Sequence, residues 1–521
     1  MCAPSGTARK NTVTISGGTV TGDVAGGDGT DEASENTVVY EGGTLAGNIV
    51  GGRGTLTNKN RIELRGGVHV AGTVTGGTAA NGTGNTLAVY ERGTEIQDLA
   101  GVQNLHFYLP EMITKDTAAT GPMLKLATAA NKDISHMEIG VGLKGDQKPL
   151  AKGDTVTLLE LGGGTLTTAA NLENAWDDKD VAARQGVSRN YKFLLKNKDN
   201  KLIAMVDTMG VDPQTKSLVE TRVAASALIN AGADLITDAG LYAASTAAAR
   251  SGAGLDLWAA QSGANMRLHT GSYVDAKSYA LNVGFAKRQK TAEGTLFFGP
   301  FVEYGRGSYD SYLDDSTRGN GAMHYIGAGI MGKLDMQGGS YIEASLRAGR
   351  IKSDYSGVLK SGGGSTQHVS YDASSSYYAA HVGAGHTFKL RDGDVLDAYA
   401  KVFYAHQGSV SAALSGTGDR YSFDSVNSSR VRLGARYTHK DAQANELYAG
   451  LAWEFEFGGK ACASFDGMST LSPSLRGGSA LLELGYRFAP KSSRVSYGLN
   501  FAGWQGKREG ISCGLNIAWG F

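Results

Sequence analysis

The sequence predicts an all-β fold. A 12-stranded transmembrane β-barrel is preceded by a short right-handed parallel β-helix, with one α-helix between them. Three observations predict it. Four Asn-led units recur near the N-terminus, a single Ala- and Leu-rich segment carries helical spacing, and twelve alternating segments fill the rest of the chain. Composition agrees. The 521 residues include 75 Gly but only 8 Pro, and the glycines follow no collagen triplet, which fits strands with tight turns. Lys+Arg and Asp+Glu both number 50, so charge points to no nucleic-acid partner.

The repeat comes first. NTVTISGGTVTGDVAGG starts at Asn11, NTVVYEGGTLAGNIVGG at Asn36, NRIELRGGVHVAGTVTGG at Asn60 and NTLAVYERGTEIQDLAGV at Asn85. Each unit reads strand, turn, short strand and turn, with Gly-Gly at both turns in all but the most divergent fourth. A fixed period near 25 residues marks a solenoid whose units stack to bury a shared core. Four coils at about 4.8 Å each make a stub roughly 20 Å long. Residues 1–105 are therefore assigned to β-helix repeats, and 106–211 to a β-rich region without a clear repeat. DTVTLLEL, from Asp154, reads there as a strand, and the segment from Asn190 to Val206 as a hairpin.

Asp212-Pro213 breaks the pattern. Residues 217–250 lack Pro and carry apolar residues at helical spacing, so 212–253 is read as linker and helix. From 254 to 521 the chain alternates again. Most of the twelve segments span about 9–13 residues, the length of a tilted strand crossing a bilayer. One face is apolar, as in Leu447, Leu451, Trp453, Phe455 and Phe457, or Val495, Tyr497, Leu499 and Phe501. The other is small or charged, with Glu343, Arg347, Asp397, Lys401, Arg430, Arg432, Arg436, Glu454, Glu456, Glu483 and Arg487. Alternation alone also fits a soluble sandwich. The even strand count, the flanking aromatics and the recurring charges on one face favour a barrel with lipid outside and a wet lumen. So does the last segment, ISCGLNIAWGF, which ends as a bare aromatic row. Pairing it with the first strand leaves no open edge in hydrocarbon. No apolar run reaches the roughly 18–20 residues of a membrane helix.

These features together resemble the autotransporters, self-secreting outer-membrane proteins of Gram-negative bacteria. The resemblance rests on the twelve segments from Leu255, the helix at 217–250, the terminal Ile517, Trp519 and Phe521, and the Gly-Gly solenoid. It implies that the helix sits in the barrel lumen and joins it to an exported passenger. It implies that residues 106–211 act as an autochaperone-like segment. It also implies that Ile517, Trp519 and Phe521 form the signal read by the outer-membrane barrel-assembly machinery. The expected location is the bacterial outer membrane with the passenger at the cell surface. Expected partners are outer-membrane lipid, that machinery and an extracellular partner that the sequence does not identify. Relatives that release their passengers cut within the helix, and Asn230-Ala231 is the candidate junction; an uncut passenger is favoured. The N-terminus, MCAPSGTARK, lacks the apolar core of a signal peptide, so the expectation is that the true start lies upstream.

No catalytic residue, cofactor or metal site is assigned. GISCG, from Gly510, matches a nucleophile elbow but lies inside the last strand. GVGLKG, from Gly140, and GAGIMG, from Gly327, match G-x-G-x-x-G without opening a helix. GGDGTD, from Gly26, matches part of a calcium β-roll repeat, but the next turn reads Arg53-Gly54-Thr55-Leu56, without the acids. His381 and His386 sit five apart in one strand and face opposite sides. The Cys2, Cys462 and Cys513 spacings suit neither metal nor disulfide. The expected work is secretion and display of a possible adhesin. The alternatives are a porin or channel with a periplasmic N-terminal domain, and a soluble β-solenoid adhesin or hydrolase.

Overall fold

The computed structural model describes residues 5–110, 113–143, 150–173, 184–250, 254–362, 365–441, 445–488 and 493–520. They form two compact units. One comprises Met1–Asp212 with Lys360–Gln367, the other Pro213–Leu359 with His368–Phe521.

In the first unit the repeats coil into a parallel β-helix. One sheet stacks Val13, Val38, Ile62, Leu87, Leu105 and Ile139 in register. The second stacks Val20, Leu45, Val70, Ile96, Leu126 and Leu161. These two apolar columns belong to one core. Every strand alternates, so each coil contributes one side chain to the same column as its neighbour. Stacking continues beyond the legible repeats to Leu161. There a hairpin, Arg189–Lys198 and Lys201–Val211, pairs antiparallel with Thr155–Leu161 and ends the parallel order. Its Asp199-Asn200 turn has φ of 53° and 58°, the two left-handed residues of a primed hairpin turn.

The repeated Asn and Gly explain one another. Asn11 Nδ2 donates to Asn36 Oδ1 at 3.0 Å, Asn36 Nδ2 to Asn60 Oδ1 at 3.1 Å, and Asn60 Nδ2 to Asn85 Oδ1 at 3.1 Å. Gln103 Oε1 closes the ladder by accepting from the Asn85 amide at 3.0 Å. A Cβ at Gly52 or Gly77 would collide with a neighbouring coil, including the ladder amides of Asn60 and Asn85. Glycine is the residue that lets the ladder pass.

The second unit is a closed antiparallel barrel of twelve strands. They are β1 (Asp256–His269), β2 (Tyr273–Lys290), β3 (Gly294–Tyr312), β4 (Arg318–Met336), β5 (Ser340–Lys360), β6 (Thr366–Lys389), β7 (Val395–Gln407), β8 (Val426–Lys440), β9 (Glu446–Glu456), β10 (Gly477–Phe488), β11 (Val495–Gly506) and β12 (Arg508–Trp519). All twelve expected strands are present. Closure runs from Leu257 opposite Trp519 to Leu268 opposite Arg508. Alternation sorts the faces as expected. Leu451 is 69% exposed on the outside, and Glu454 is 2% exposed inside. Several strands exceed the span of a bilayer, β5 with 21 residues and β6 with 24. At one end the connections are short. At the other, the β7–β8 and β9–β10 connections fold into a separate four-stranded sheet.

Candidate functional site: the occupied lumen

The expected helix threads the barrel. It comprises α1 (Lys216–Leu235), one wide π-helical turn (Ile236–Gly240) and α2 (Leu241–Arg250). Its ends reach both rims. Lys216 Nζ donates to Ser272 Oγ in the β1–β2 turn at 2.8 Å, and Arg250 donates to the Ser493 carbonyl before β11. The helix lies among inward side chains and is mostly buried, with Ala224, Ala225, Ala243 and Ala247 keeping it thin.

Charge holds it at mid-height. Asp234 accepts from three barrel arginines: Arg432 Nη2 at 2.7 Å, Arg508 Nη2 at 2.8 Å and Arg430 Nη1 at 2.9 Å. Glu454 on β9 contacts the same three, at 2.9, 2.8 and 3.1 Å. Asp238, one turn on, takes Arg432 Nη1 at 3.3 Å. Three guanidiniums thus face three carboxylates. Buried pairs give little net stability, because desolvation offsets their attraction, but breaking one strands a charge. Such a cluster specifies the height and rotation of the helix.

Further contacts flank the cluster. Arg347 Nη2 donates to the Ile229 carbonyl at 2.7 Å while Nη1 pairs with Glu303, also at 2.7 Å. Lys401 Nζ donates to the Thr237 carbonyl in the π turn at 3.1 Å. A widened turn leaves carbonyls without helical partners, and Lys401 satisfies one. Near the end bearing the long connections, Glu220 accepts from the hydroxyls of Thr270 (2.5 Å), Ser272 (2.6 Å) and Ser311. Ser217 meets Tyr355 at 2.9 Å. A cavity of about 80 Å³ remains between Ala227 and Ala231 of the helix and Ser262, Ala276 and Asn500 of the wall.

Asn230 and Ala231, the candidate junction, lie in mid-helix inside the lumen. Asn230 Nδ2 donates to Ser428 Oγ at 2.9 Å, and Ser428 in turn donates to Glu456. Ile517 and Trp519 point outward from β12, opposite Ala259 and Leu257 of β1. Phe521 lies outside the described residues. The residues from Gly510 to Gly514 run within β12, with no strand–turn–helix bend. Arg53 pairs with Asp23 at 2.6 Å and approaches Asp28 at 3.9 Å, so an arginine neutralises the acidic turn of the β-helix. Arg508 is the cluster member that sequence reasoning missed, because Lys507-Arg508-Glu509-Gly510 reads as a turn.

The barrel resembles known structures. It is similar to the β-domain of the Bordetella autotransporter BrkA, at 19% identity over 51% of this chain and 99% of that one, with a TM-score of 0.40. It is similar to the translocator domain of NalP from Neisseria meningitidis, at 15% identity over 57% and 99%, with a TM-score of 0.43. The transport unit of AIDA-I from Escherichia coli aligns at 14% identity over 54% and 98%, with a TM-score of 0.41. Comparison with characterised protein sequences gives no match. The family model for the autotransporter β-domain matches residues 237–502, from the π turn of the helix into β11 and so just over half of the chain. The barrel is a transport barrel of the bacterial outer membrane, and the chain belongs to the autotransporter family.

Proposed function

We propose that the barrel translocates the β-helix of residues 1–212 and displays it, still attached, at the cell surface, as a possible adhesin. The single observation that carries this reading is the path of the chain. It leaves Pro213 at the rim with the long connections, runs down the lumen as a helix, and enters β1 at the rim with short turns. In outer-membrane barrels short turns face the periplasm and long loops face outward. The passenger is then the part of the chain lying outside.

Attachment is supported by the burial of Asn230 in mid-helix inside the lumen, where a protease does not reach the Asn230-Ala231 bond. The assembly machinery reads the last strand through Ile517, Trp519 and Phe521. The work is display without catalysis, with outer-membrane lipid around the barrel and an extracellular partner for the β-helix.

The test is expression in a Gram-negative host behind a supplied signal peptide, followed by protease treatment of intact cells. The expected result is loss of residues 1–212 and a protected, heat-modifiable fragment close to 213–521. Untreated cells should give one uncut band. Digestion only after lysis would overturn the orientation, and a discrete barrel fragment beginning at Ala231 would overturn attachment. A large single-channel conductance from the intact chain would favour a porin instead.

A further inference from the structure

Among the described residues, the outer surface carries a basic patch whose members form no ion pair with an acid. Arg306 on β3, His324 on β4 and Lys352 on β5 lie directly opposite one another in register, and all three point outward and are exposed. Arg350, also outward, lies opposite Ile326, one step nearer the apolar band. Side chains directly opposite in an antiparallel pair have Cβ atoms about 4.5–5.5 Å apart, where like charges destabilise the pairing. Elsewhere on the outer face Arg267 is relieved by an acid, pairing with Asp275 at 2.7 Å. Among the described residues, no acid forms an ion pair with Arg306, His324, Arg350 or Lys352. The nearby Asp354 accepts from the Ala322 amide at 3.0 Å instead.

The height of the patch indicates what it meets. On β3 the outward row reads Phe298, Pro300, Val302 and Tyr304 before Arg306, and on β4 Ile330, Ala328 and Ile326 precede His324. Tyr279, Tyr304, Tyr378 and Tyr404 are outward and exposed towards the same rim, a girdle where apolar core gives way to headgroups. Arg350 stands level with Tyr304, and Arg306, His324 and Lys352 stand level with Tyr279, one side-chain step further out, at the rim from which the helix leaves for the β-helix. With that rim outward, as the proposed display function has it, they stand at headgroup level in the outer leaflet.

We propose that Arg306, His324, Lys352 and Arg350 form a docking site for the phosphate groups of the phosphorylated glycolipid of the outer leaflet. A phosphate between β3, β4 and β5 accepts charge-assisted hydrogen bonds from the guanidinium and ammonium groups and removes their mutual repulsion. The arginines suit it in particular, because their planar fork matches phosphate oxygens. The acyl chains of the same molecule then lie along Val302, Ile326 and Ile330. The site fixes one face of the barrel in lipid.

The test uses the full chain, folded in detergent and checked by heat-modifiability. It is titrated with bis-phosphorylated lipid A and with the dephosphorylated lipid, and bound lipid is counted by native mass spectrometry. Wild type is expected to retain the phosphorylated form at least tenfold more tightly. Arg306→Gln with Lys352→Gln should abolish the preference, Arg306→Lys should keep most of it, and Arg267→Gln, at an ion-paired outward site, should leave it intact. Millimolar inorganic phosphate should not displace the lipid; displacement would make the ligand a free anion and overturn lipid docking. Equal retention of both lipids, or no loss in the double variant, would also overturn it. A reporter peptide in the turn at residues 313–317 tests the orientation separately. If antibody reaches it only after lysis, the display reading fails, and with it the assignment to the outer leaflet, whatever the detergent titration shows.

Discussion

Arg432 Nη2 on the barrel wall and Asp234 Oδ1 on the helix lie 2.7 Å apart, and Arg430 shares the same carboxylate oxygen. This contact ties the two parts of the translocator. Asp234→Ala leaves two buried guanidiniums and the half-buried Arg508 facing only Glu454 and Asp238. Breaking such a cluster costs about 3–5 kcal/mol. The helix is expected to lose its fixed seat, lowering the unfolding temperature of the barrel and raising its conductance in planar bilayers. Wild-type conductance and stability in the variant would mean that packing alone holds the helix.

Leu499 and Leu515 lie opposite each other on β11 and β12, on the outer face, whereas Asn500 borders the luminal cavity. An arginine facing lipid at mid-membrane costs roughly 2–4 kcal/mol. Leu499→Arg and Leu515→Arg are therefore expected to block assembly, and Asn500→Arg to be tolerated beside Asp234. Heat-modifiable barrel in outer-membrane fractions is the readout. Equal insertion of all three variants would contradict the assigned facing.

The barrel was legible because lipid enforces period-two alternation on every strand that crosses it. The helix was legible because no Pro interrupts an Ala-rich run between two β regions. Legibility ended where those constraints end. The outer part of β6, from Thr366 to Tyr377, stands beyond the apolar band and reads TQHVSYDASSSY, with no lipid-facing row to betray a strand. The sheet formed by the β7–β8 and β9–β10 connections gives too few residues per strand for a period. In the β-helix, Asn11, Asn36, Asn60 and Asn85 marked the repeat, but a repeat position alone does not reveal a hydrogen-bonded ladder. After Leu105 the apolar columns continue while the Gly-Gly pairs do not, so the coils there stack without a visible repeat.

The ladder predicts a local weak point in the β-helix. Asn60 is fully buried, accepts from both the Asn36 amide (3.0 Å) and its side chain, and donates to the Ala33 carbonyl at 2.9 Å. Asn60→Ala strands these partners, at about 1–3 kcal/mol for each buried group left unsatisfied. Limited proteolysis of the full chain is expected to cut the first coils of the variant much faster than those of wild type. Asn60→Asp, which keeps the acceptor and loses the donor, should fall between them. Indistinguishable digestion of all three would show that the apolar columns suffice.

His106 makes β-helix stability depend on pH. It is half-buried in the sheet near Arg61, and burial, with that guanidinium, pushes its pKa down to about 4. The unfolded chain holds its imidazole near 6.5. Between these values the unfolded state binds the extra proton, so stability is complete above about pH 6.5 and is lost as pH falls towards 4. The full effect approaches about 3 kcal/mol by the linkage relation. Burial raises the pKa of the neighbouring Glu63 carboxyl, but Arg61 and Arg65 outweigh this and hold it below its usual value. Its contribution is lost only at the acidic end, which leaves pH 5 to 6.5 to the histidine. Thermal melts of the full chain, followed by circular dichroism across that range, should show the β-helix transition falling with pH. His106→Phe should flatten the slope, and an equal slope in the variant would assign the pH dependence to other groups.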